Sequence, residues 1–180
     1  MNNNKSYNTI YLIAGIILIG AISRIIPHAP NFTAMGAIAL FGGTYIKNER
    51  LKYIIPIGAM LLSDITLKSI GINLPSWKVQ VTIYLSFSLI VLMGDIFIKS
   101  KQPKSIIITS LGASALFFLL SNLAVWANGG YGYSIEGLIT CYVMAIPFLN
   151  NTILGDLTYC AILFGAYQYI TISSPTFSKK

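Results

Sequence analysis

Six long apolar segments, separated by short polar stretches, run along the 180 residues of the chain. A helix that crosses the roughly 30 Å hydrocarbon core of a bilayer needs about 20 apolar residues, and fewer where polar side chains face a protein interior. The pattern therefore predicts an all-α, polytopic membrane protein with one transmembrane domain over residues 1–180. The six transmembrane helices are predicted at residues 9–26, 33–46, 53–70, 79–98, 105–126 and 151–170.

A further apolar stretch covers residues 135–149, between the fifth and the sixth predicted span. It ends at Pro147 and at the Asn150-Asn151 pair. At about 15 residues it is short for a membrane crossing, so we predict an interfacial or re-entrant helix. The pattern leaves open whether the segment spans, and either asparagine is a candidate N-cap of the last helix.

The composition agrees with a membrane protein. Hydrophobic residues make up 55% of the chain and charged residues only 9%, whereas soluble domains average about 25% charged residues. This excludes an ordinary soluble enzyme, a disordered region and a nucleic-acid-binding domain. Two cysteines are too few for a secreted disulfide scaffold.

Basic residues are distributed unequally between the two sides that six spans define. Of the 12 Lys and Arg residues, nine fall on one side, and Arg24, Lys68 and Lys78 fall on the other. The nine are Lys5, Lys47, Arg50, Lys52, Lys99, Lys101, Lys104, Lys179 and Lys180. Because Lys and Arg accumulate in cytoplasmic loops, we expect a multi-pass membrane protein with both termini in the cytoplasm. The net charge of +7 is then explained by basic residues that anchor the cytoplasmic side of the protein, and no nucleic-acid partner is predicted.

The predicted outward loops are rich in aromatic and amide side chains. These are His28 and Asn31 in the first loop, Trp77 in the second, and Trp126, Tyr131 and Tyr133 in the third. Aromatic faces with a few amides are typical of a small-molecule site. An interfacial aromatic belt has the same composition, and the sequence leaves both interpretations open.

Three of the five acidic residues, Asp64, Asp95 and Asp156, fall inside predicted spans. Carboxylates at membrane depth usually face a partner or a cavity. Asp64, Asp156 and Arg24 belong to the outer half of the bilayer, so we expect Arg24 to pair with Asp64 or Asp156. Such a pair either fixes helix register or forms the polar floor of an outward cavity, and the two roles are compatible. Asp95 is expected to reach water or Lys99.

Asn122 and Tyr84 complete the predicted substrate-binding residues. Asn122 precedes Trp126 by one helical turn, on the same helix face, and Tyr84 lies one turn into the fourth span from outside. The full set is Arg24, His28, Asn31, Asp64, Trp77, Tyr84, Asn122, Trp126, Tyr131, Tyr133 and Asp156.

Catalytic and cofactor motifs give no positive signal. The chain has one histidine, two cysteines nineteen residues apart, and neither a P-loop nor a Gly-x-Gly-x-x-Gly motif. No enzymatic activity, no metal site and no cofactor is predicted.

Four segments carry a resemblance to known proteins. They are residues 24–43, Met-Leu-Leu-Ser-Asp at 60–64, Asn-Leu-Ala-Val-Trp at 122–126 and Ala-Ile-Pro-Phe-Leu-Asn-Asn-Thr at 145–152. Over roughly residues 15–170 the chain resembles an uncharacterised family of small bacterial multispan membrane proteins. It is also similar to the substrate-binding S components of energy-coupling factor (ECF) transporters, through Pro-Asn-x-x-x-x-x-Ala at 30–37 and Leu-Ser-Asp at 62–64.

The resemblance implies six helices, cytoplasmic termini and an outward pocket roofed by loops. We therefore predict a membrane-embedded subunit that binds and takes up a small solute, vitamin- or corrinoid-like. A membrane coupling subunit and ATPases are the implied partners, beside the solute and the lipid bilayer. The alternative is a non-transporting scaffold subunit of an envelope or cell-shape complex.

Overall fold

The computed structural model describes the backbone of residues 3–173 and the side chains of residues 10–173. Over that part of the chain it is all-helical, with six helices and no strand. The helices are α1 (Asn3–Ile22), α2 (Met35–Tyr45), α3 (Leu51–Ser69), α4 (Trp77–Phe97), α5 (Pro103–Ala127) and α6 (Ile135–Ser173). The all-α prediction is confirmed. Lys179 and Lys180, which contribute to the predicted topology, lie outside the described residues.

The first helix ends earlier than its apolar pattern predicts. Three successive turn hydrogen bonds follow its last residue, including Arg24 N–H to Ala21 O at 3.2 Å, and Pro27 comes soon after. Because these tighter bonds leave the α-helical ladder, Arg24 lies in a turn rather than inside the helix.

The predicted separation of residues 135–149 from the last span is wrong. One helix of 39 residues runs through Pro147. Proline removes one backbone donor, but transmembrane helices tolerate this loss where neighbouring groups cover the freed carbonyl. Asn150 and Asn151 therefore lie inside α6 and do not cap it. The Asn151 amide instead donates to Pro30 O at 2.9 Å and ties α6 to the α1–α2 loop.

Three helices within residues 3–173, namely α4, α5 and α6, are long and apolar enough to cross a membrane. The apolar part of α1 (Ile10–Ile22) and the whole of α2 are shorter. Helix α3 carries Lys52, Asp64 and Lys68 within 19 residues. The helices therefore support a membrane protein with three crossing segments by length and composition, and they do not support six.

Helix α2 lies at the centre of the bundle, where nine of its 11 residues are buried. It contacts all five other helices. Gly43 faces the backbone carbonyl of Val91, and Gly94 of α4 faces the backbone of Leu40, so neither position has room for a Cβ. Two glycines thus let α2 and α4 approach backbone to backbone, and the short apolar segment is a core helix.

The far end of the bundle, where α3 begins and α4 ends, carries a second ion pair. Lys52 Nζ lies 2.9 Å from Asp95 Oδ2 and 2.6 Å from Glu49. Of the two predicted surroundings of Asp95, water is confirmed, because its side chain is 43% exposed. The pairing with Lys99 is wrong, because α4 ends at Phe97 and the partner of Asp95 is Lys52. Asp95 therefore joins α3 to α4.

Candidate functional site

A polar cluster lies at the end of the bundle where α1 and α3 end and α4 begins. Arg24 follows α1, Asp64 lies about a turn before the end of α3, and Gln80 and Tyr84 are one turn apart near the start of α4. Their spacing of four residues puts Gln80 and Tyr84 on the same face of α4. Three separate elements thus bring one cation, one carboxylate, one amide and one phenol together.

Arg24 pairs with Asp64 and not with Asp156, which settles the alternatives that the sequence left open. The guanidinium Nη1 lies 2.5 Å from Asp64 Oδ1. The same nitrogen donates to the Ser63 hydroxyl at 2.7 Å and to the Met60 carbonyl at 3.5 Å. One edge of the guanidinium is therefore fixed against α3.

The Asp64 carboxylate is only 4% exposed and is hydrogen-bonded on both oxygens. Its second oxygen accepts from the Gln80 amide at 2.9 Å and from the Tyr84 hydroxyl at 2.8 Å. A buried carboxylate is strongly unfavourable without such partners. The three side-chain donors provide the compensation, and they tie α1, α3 and α4 to one another.

This cluster opens onto a cavity of about 200 Å³ between the helix ends. Arg24, Asp64 and Gln80 contribute its polar wall. Its apolar lining includes Met60, Ile83, Phe87, Ile90 and Phe117. A mostly apolar concavity with a few convergent polar groups is the usual form of a small-molecule site.

Asp156 lies in the same cavity but has different partners. It is 3% exposed and accepts from the Ser114 hydroxyl at 2.7 Å. It also faces the first turn of α2, where it interacts with the backbone N–H of Ala37 and where a Cβ on Gly36 would collide with it. Helix α2 has no side-chain cap from Ala34, so the carboxylate from α6 complements the positive end of α2.

A second cavity of about 450 Å³ adjoins the first towards the α5–α6 loop. Asn122 lines it, with its side-chain amide donating to Phe118 O at 2.8 Å. The residues that line both cavities are Asn31, Pro75, Ile83, Phe117 and Thr152. The two cavities are therefore adjacent at this end of the bundle.

Asn31 occupies the wall between the cavities from the α1–α2 loop. Its backbone has φ of 66°, a left-handed conformation that asparagine tolerates better than most residues. Asn31 is exposed, and no hydrogen bond of its side chain occurs among the described residues.

The five other predicted site residues lie outside both linings. His28 is exposed, and Trp77, Tyr131 and Tyr133 are 71%, 42% and 76% exposed. Trp126 donates its indole N–H to Ser134 O at 3.1 Å and so closes the α5–α6 loop on itself. Of the eleven residues, Arg24, Asn31, Asp64, Tyr84, Asn122 and Asp156 surround the cavities or belong to the polar cluster.

Sequence reasoning missed Ser63, Gln80, Ser114 and Thr152. Gln80 had a usable signal, since it precedes Tyr84 by one helical turn in an apolar segment. Ser114 and Thr152 had none, because hydroxyls in apolar helices commonly bond their own backbone, as Thr152 does to Phe148 O at 2.8 Å. Among the described residues no three His, Cys, Asp or Glu side chains are grouped to hold a metal.

Comparison with known proteins places the chain among relatives of unknown function. The model of DUF6580, described as a family of unknown function, matches residues 4–177, which agrees with the predicted resemblance to an uncharacterised family. No curated protein and no solved structure matches the chain. The comparisons show no likeness to the S components of ECF transporters.

Proposed function

We propose that this chain, which belongs to the DUF6580 family of unknown function, is a membrane-embedded subunit that binds a small solute from the outer side and passes it inward. The observation that carries the proposal is the pair of adjoining cavities at one end of the bundle, with the Arg24–Asp64 cluster on the wall of the first. Ionisable residues within membrane helices are costly, and they usually mark a solute or ion pathway.

The charges of the two bundle ends support an outward-facing cavity. The cavity end carries Arg24, Lys68 and Lys78, and the loops at the far end carry Lys47, Arg50, Lys99, Lys101 and Lys104. The positive-inside rule assigns the far end to the cytoplasm. In the proposed topology six helices cross a bacterial inner membrane and both termini are cytoplasmic.

The proposed topology gives α2 a crossing position despite its length of about 16 Å. Its side chains are buried by other helices rather than by lipid. A helix enclosed by protein need not match the bilayer thickness, because loops at its ends are shielded by the surrounding elements. Helix α3 has 19 residues, and two of its charged side chains, Lys52 and Asp64, are paired, which lowers the cost of placing them in the bilayer.

The cavity volumes favour a compact, vitamin-like solute. Sites for drug-sized molecules occupy roughly 300–1,000 Å³, and the two adjoining cavities are of about 200 and 450 Å³. A corrinoid macrocycle fits this space less well. Uptake also requires an energy source, so a membrane coupling subunit and ATPases are part of the proposal.

Native mass spectrometry of the full chain, extracted gently from its membrane, tests solute binding. We expect the wild-type chain to retain a small molecule. Ile83→Trp fills the wall shared by both cavities and should abolish retention. Leu85→Trp, on the exposed face of the same helix, is the matched control and should retain the molecule. Absence of any bound molecule in the wild type contradicts the proposal.

The scaffold function is the second candidate, and one observation favours it. Every hydrogen bond that Asp64 needs is supplied by this chain, so the cluster fixes helix register without a solute. For a scaffold subunit, retention of a small molecule would be the same in the Ile83→Trp and Leu85→Trp variants. For a solute-binding subunit, only Ile83→Trp would lose the molecule.

A further inference from the structure

We infer that the bound solute carries a carboxylate, held by the free edge of Arg24, on an apolar body that lies in the cavity. This inference rests on the proposed function and names the chemical class of its solute.

The guanidinium of Arg24 is committed on one edge only. All of its hydrogen bonds to the described residues, to Asp64, Ser63 and Met60, are made by Nη1. Nη2 and Nε have no partner within that part of the chain. Arg24 also lines the first cavity, with its side chain 19% exposed. Three N–H groups are thus left beside the cavity in the planar arrangement that matches two carboxylate oxygens.

The carboxylate of Asp64 offsets the charge of Arg24, but it contacts only Nη1 and leaves the other edge of the guanidinium without a hydrogen bond to the described residues. The carboxylate is shared among Arg24, Gln80 and Tyr84, so two neutral donors also stabilise the negative charge. The fixed Nη1 contact holds the guanidinium plane in place, which removes the side-chain entropy that a flexible arginine loses on binding. Arg24 is therefore a preorganised hydrogen-bond donor for an anion, because its pairing with Asp64 leaves part of the guanidinium unbonded.

The other charged groups at the cavity favour the Arg24 end for the anionic head. Asp156 is the second carboxylate there, and it already faces the positive end of α2. An anion next to Asp156 would meet a carboxylate that has no ion pair among the described residues, whereas an anion at Arg24 meets a cation that offsets the charge of Asp64. The apolar side chains Ile83, Phe87 and Phe117 then receive the body of the solute.

Matched probes test the carboxylate directly on the full-length chain in detergent. Phenylacetate, phenylbutyrate and phenylhexanoate are each compared with the corresponding primary amide, which keeps the shape and removes the charge. We measure the probe concentration that gives half of the maximal rise in thermal midpoint. At least one acid should bind about tenfold or more tightly than its amide, as hydrogen bonds to charged groups require.

The variants separate the role of Arg24 in binding from its role in folding. Arg24→Gln combined with Asp64→Asn replaces the ion pair by a neutral hydrogen-bonded pair, and the acid should lose its advantage over the amide. Lys78→Gln removes an exposed cation at the same end of the bundle and should keep that advantage. Arg24→Lys keeps the charge but not the planar donor pair, so a smaller preference is expected.

Each outcome bears on one proposal. Amides that bind as tightly as the acids, acids that never bind, or an acid preference that persists in the double variant overturn the carboxylate inference. The solute-binding function is decided separately by the molecule retained in native mass spectrometry. A retained molecule without a carboxylate therefore leaves the proposed function standing and removes only the inference about its class.

Discussion

At the scale of single residues, the Arg24–Asp64 ion pair holds α3 against the turn that follows α1. A lone arginine before an outward loop and two aspartates at membrane depth imply a pair, since each charge is costly alone. The sequence does not choose between Asp64 and Asp156, because both belong to the same layer. The choice depends on the turn that ends α1 and on the first turn of α2, which engages Asp156.

Arg24→Ala should lower stability by about 3–5 kcal/mol, because it leaves the buried Asp64 carboxylate without its cation. The thermal midpoint in detergent measures this loss. Adding Asp64→Asn should restore part of it, since the neutral amide needs no counter-ion. Adding Asp156→Asn is the matched control and should restore nothing. Rescue by Asp156→Asn rather than by Asp64→Asn would show that Arg24 pairs with the other carboxylate.

Gly36→Ala should lower stability by about 1–3 kcal/mol, the usual cost of an overpacked site. The new Cβ collides with the Asp156 carboxylate, which Ser114 holds in place. Gly58→Ala is the control within helix α3, where a Cβ meets open space, and it should be neutral or stabilising by about 0.5–1 kcal/mol. Equal midpoints for the two variants would mean that Asp156 does not abut α2.

At the scale of elements, runs of apolar residues predict the bounds of a helix well where short polar loops flank it. The predicted spans at 33–46, 53–70, 79–98 and 105–126 each lie within a few residues of α2, α3, α4 and α5. The prediction for the last helix was wrong because Pro147 and two asparagines indicate a helix end in water-soluble proteins. In α6 those signals are overridden by tertiary contacts, such as the Asn151 bond to Pro30.

Spin labels across Pro147 test the continuity of α6. Ile139 and Ile162 are exposed positions on either side of it, and a continuous helix places them about 35 Å apart at 1.5 Å per residue. The buried Cys141 and Cys160 are first replaced by alanine. Labels at Ile108 and Leu123 within α5 are the control, with about 22 Å expected. A much shorter distance in α6 alone would restore a separate re-entrant helix.

At the scale of the whole molecule, two polar networks at opposite ends of the bundle organise the charge. Arg24–Asp64 joins α1 and α3 at the cavity end, and Lys52–Asp95 joins α3 and α4 at the far end. The end of the bundle at which each network lies could be predicted from the sequence, because successive helices run in alternating directions. An outward cavity was expected, but its lining was not available from the sequence, because the walls of the two cavities come from five helices and three loops whose packing no periodic pattern encodes.

Cysteine accessibility decides between three and six membrane crossings. Asn48, Asn73, Gln102 and Asn128 are exposed loop positions, and each is changed to cysteine for labelling with a membrane-impermeant maleimide in intact cells. Six crossings place Asn73 and Asn128 outside and Asn48 and Gln102 inside, so the first two alone should react. Crossing by α4, α5 and α6 alone leaves Asn48 and Asn73 on the same side, because α3 then does not traverse the bilayer. Labelling of all four in broken cells controls for reactivity. Equal labelling of Asn48 and Asn73 in intact cells would contradict six crossings, and protection of Asn128 would place the cavity on the cytoplasmic side.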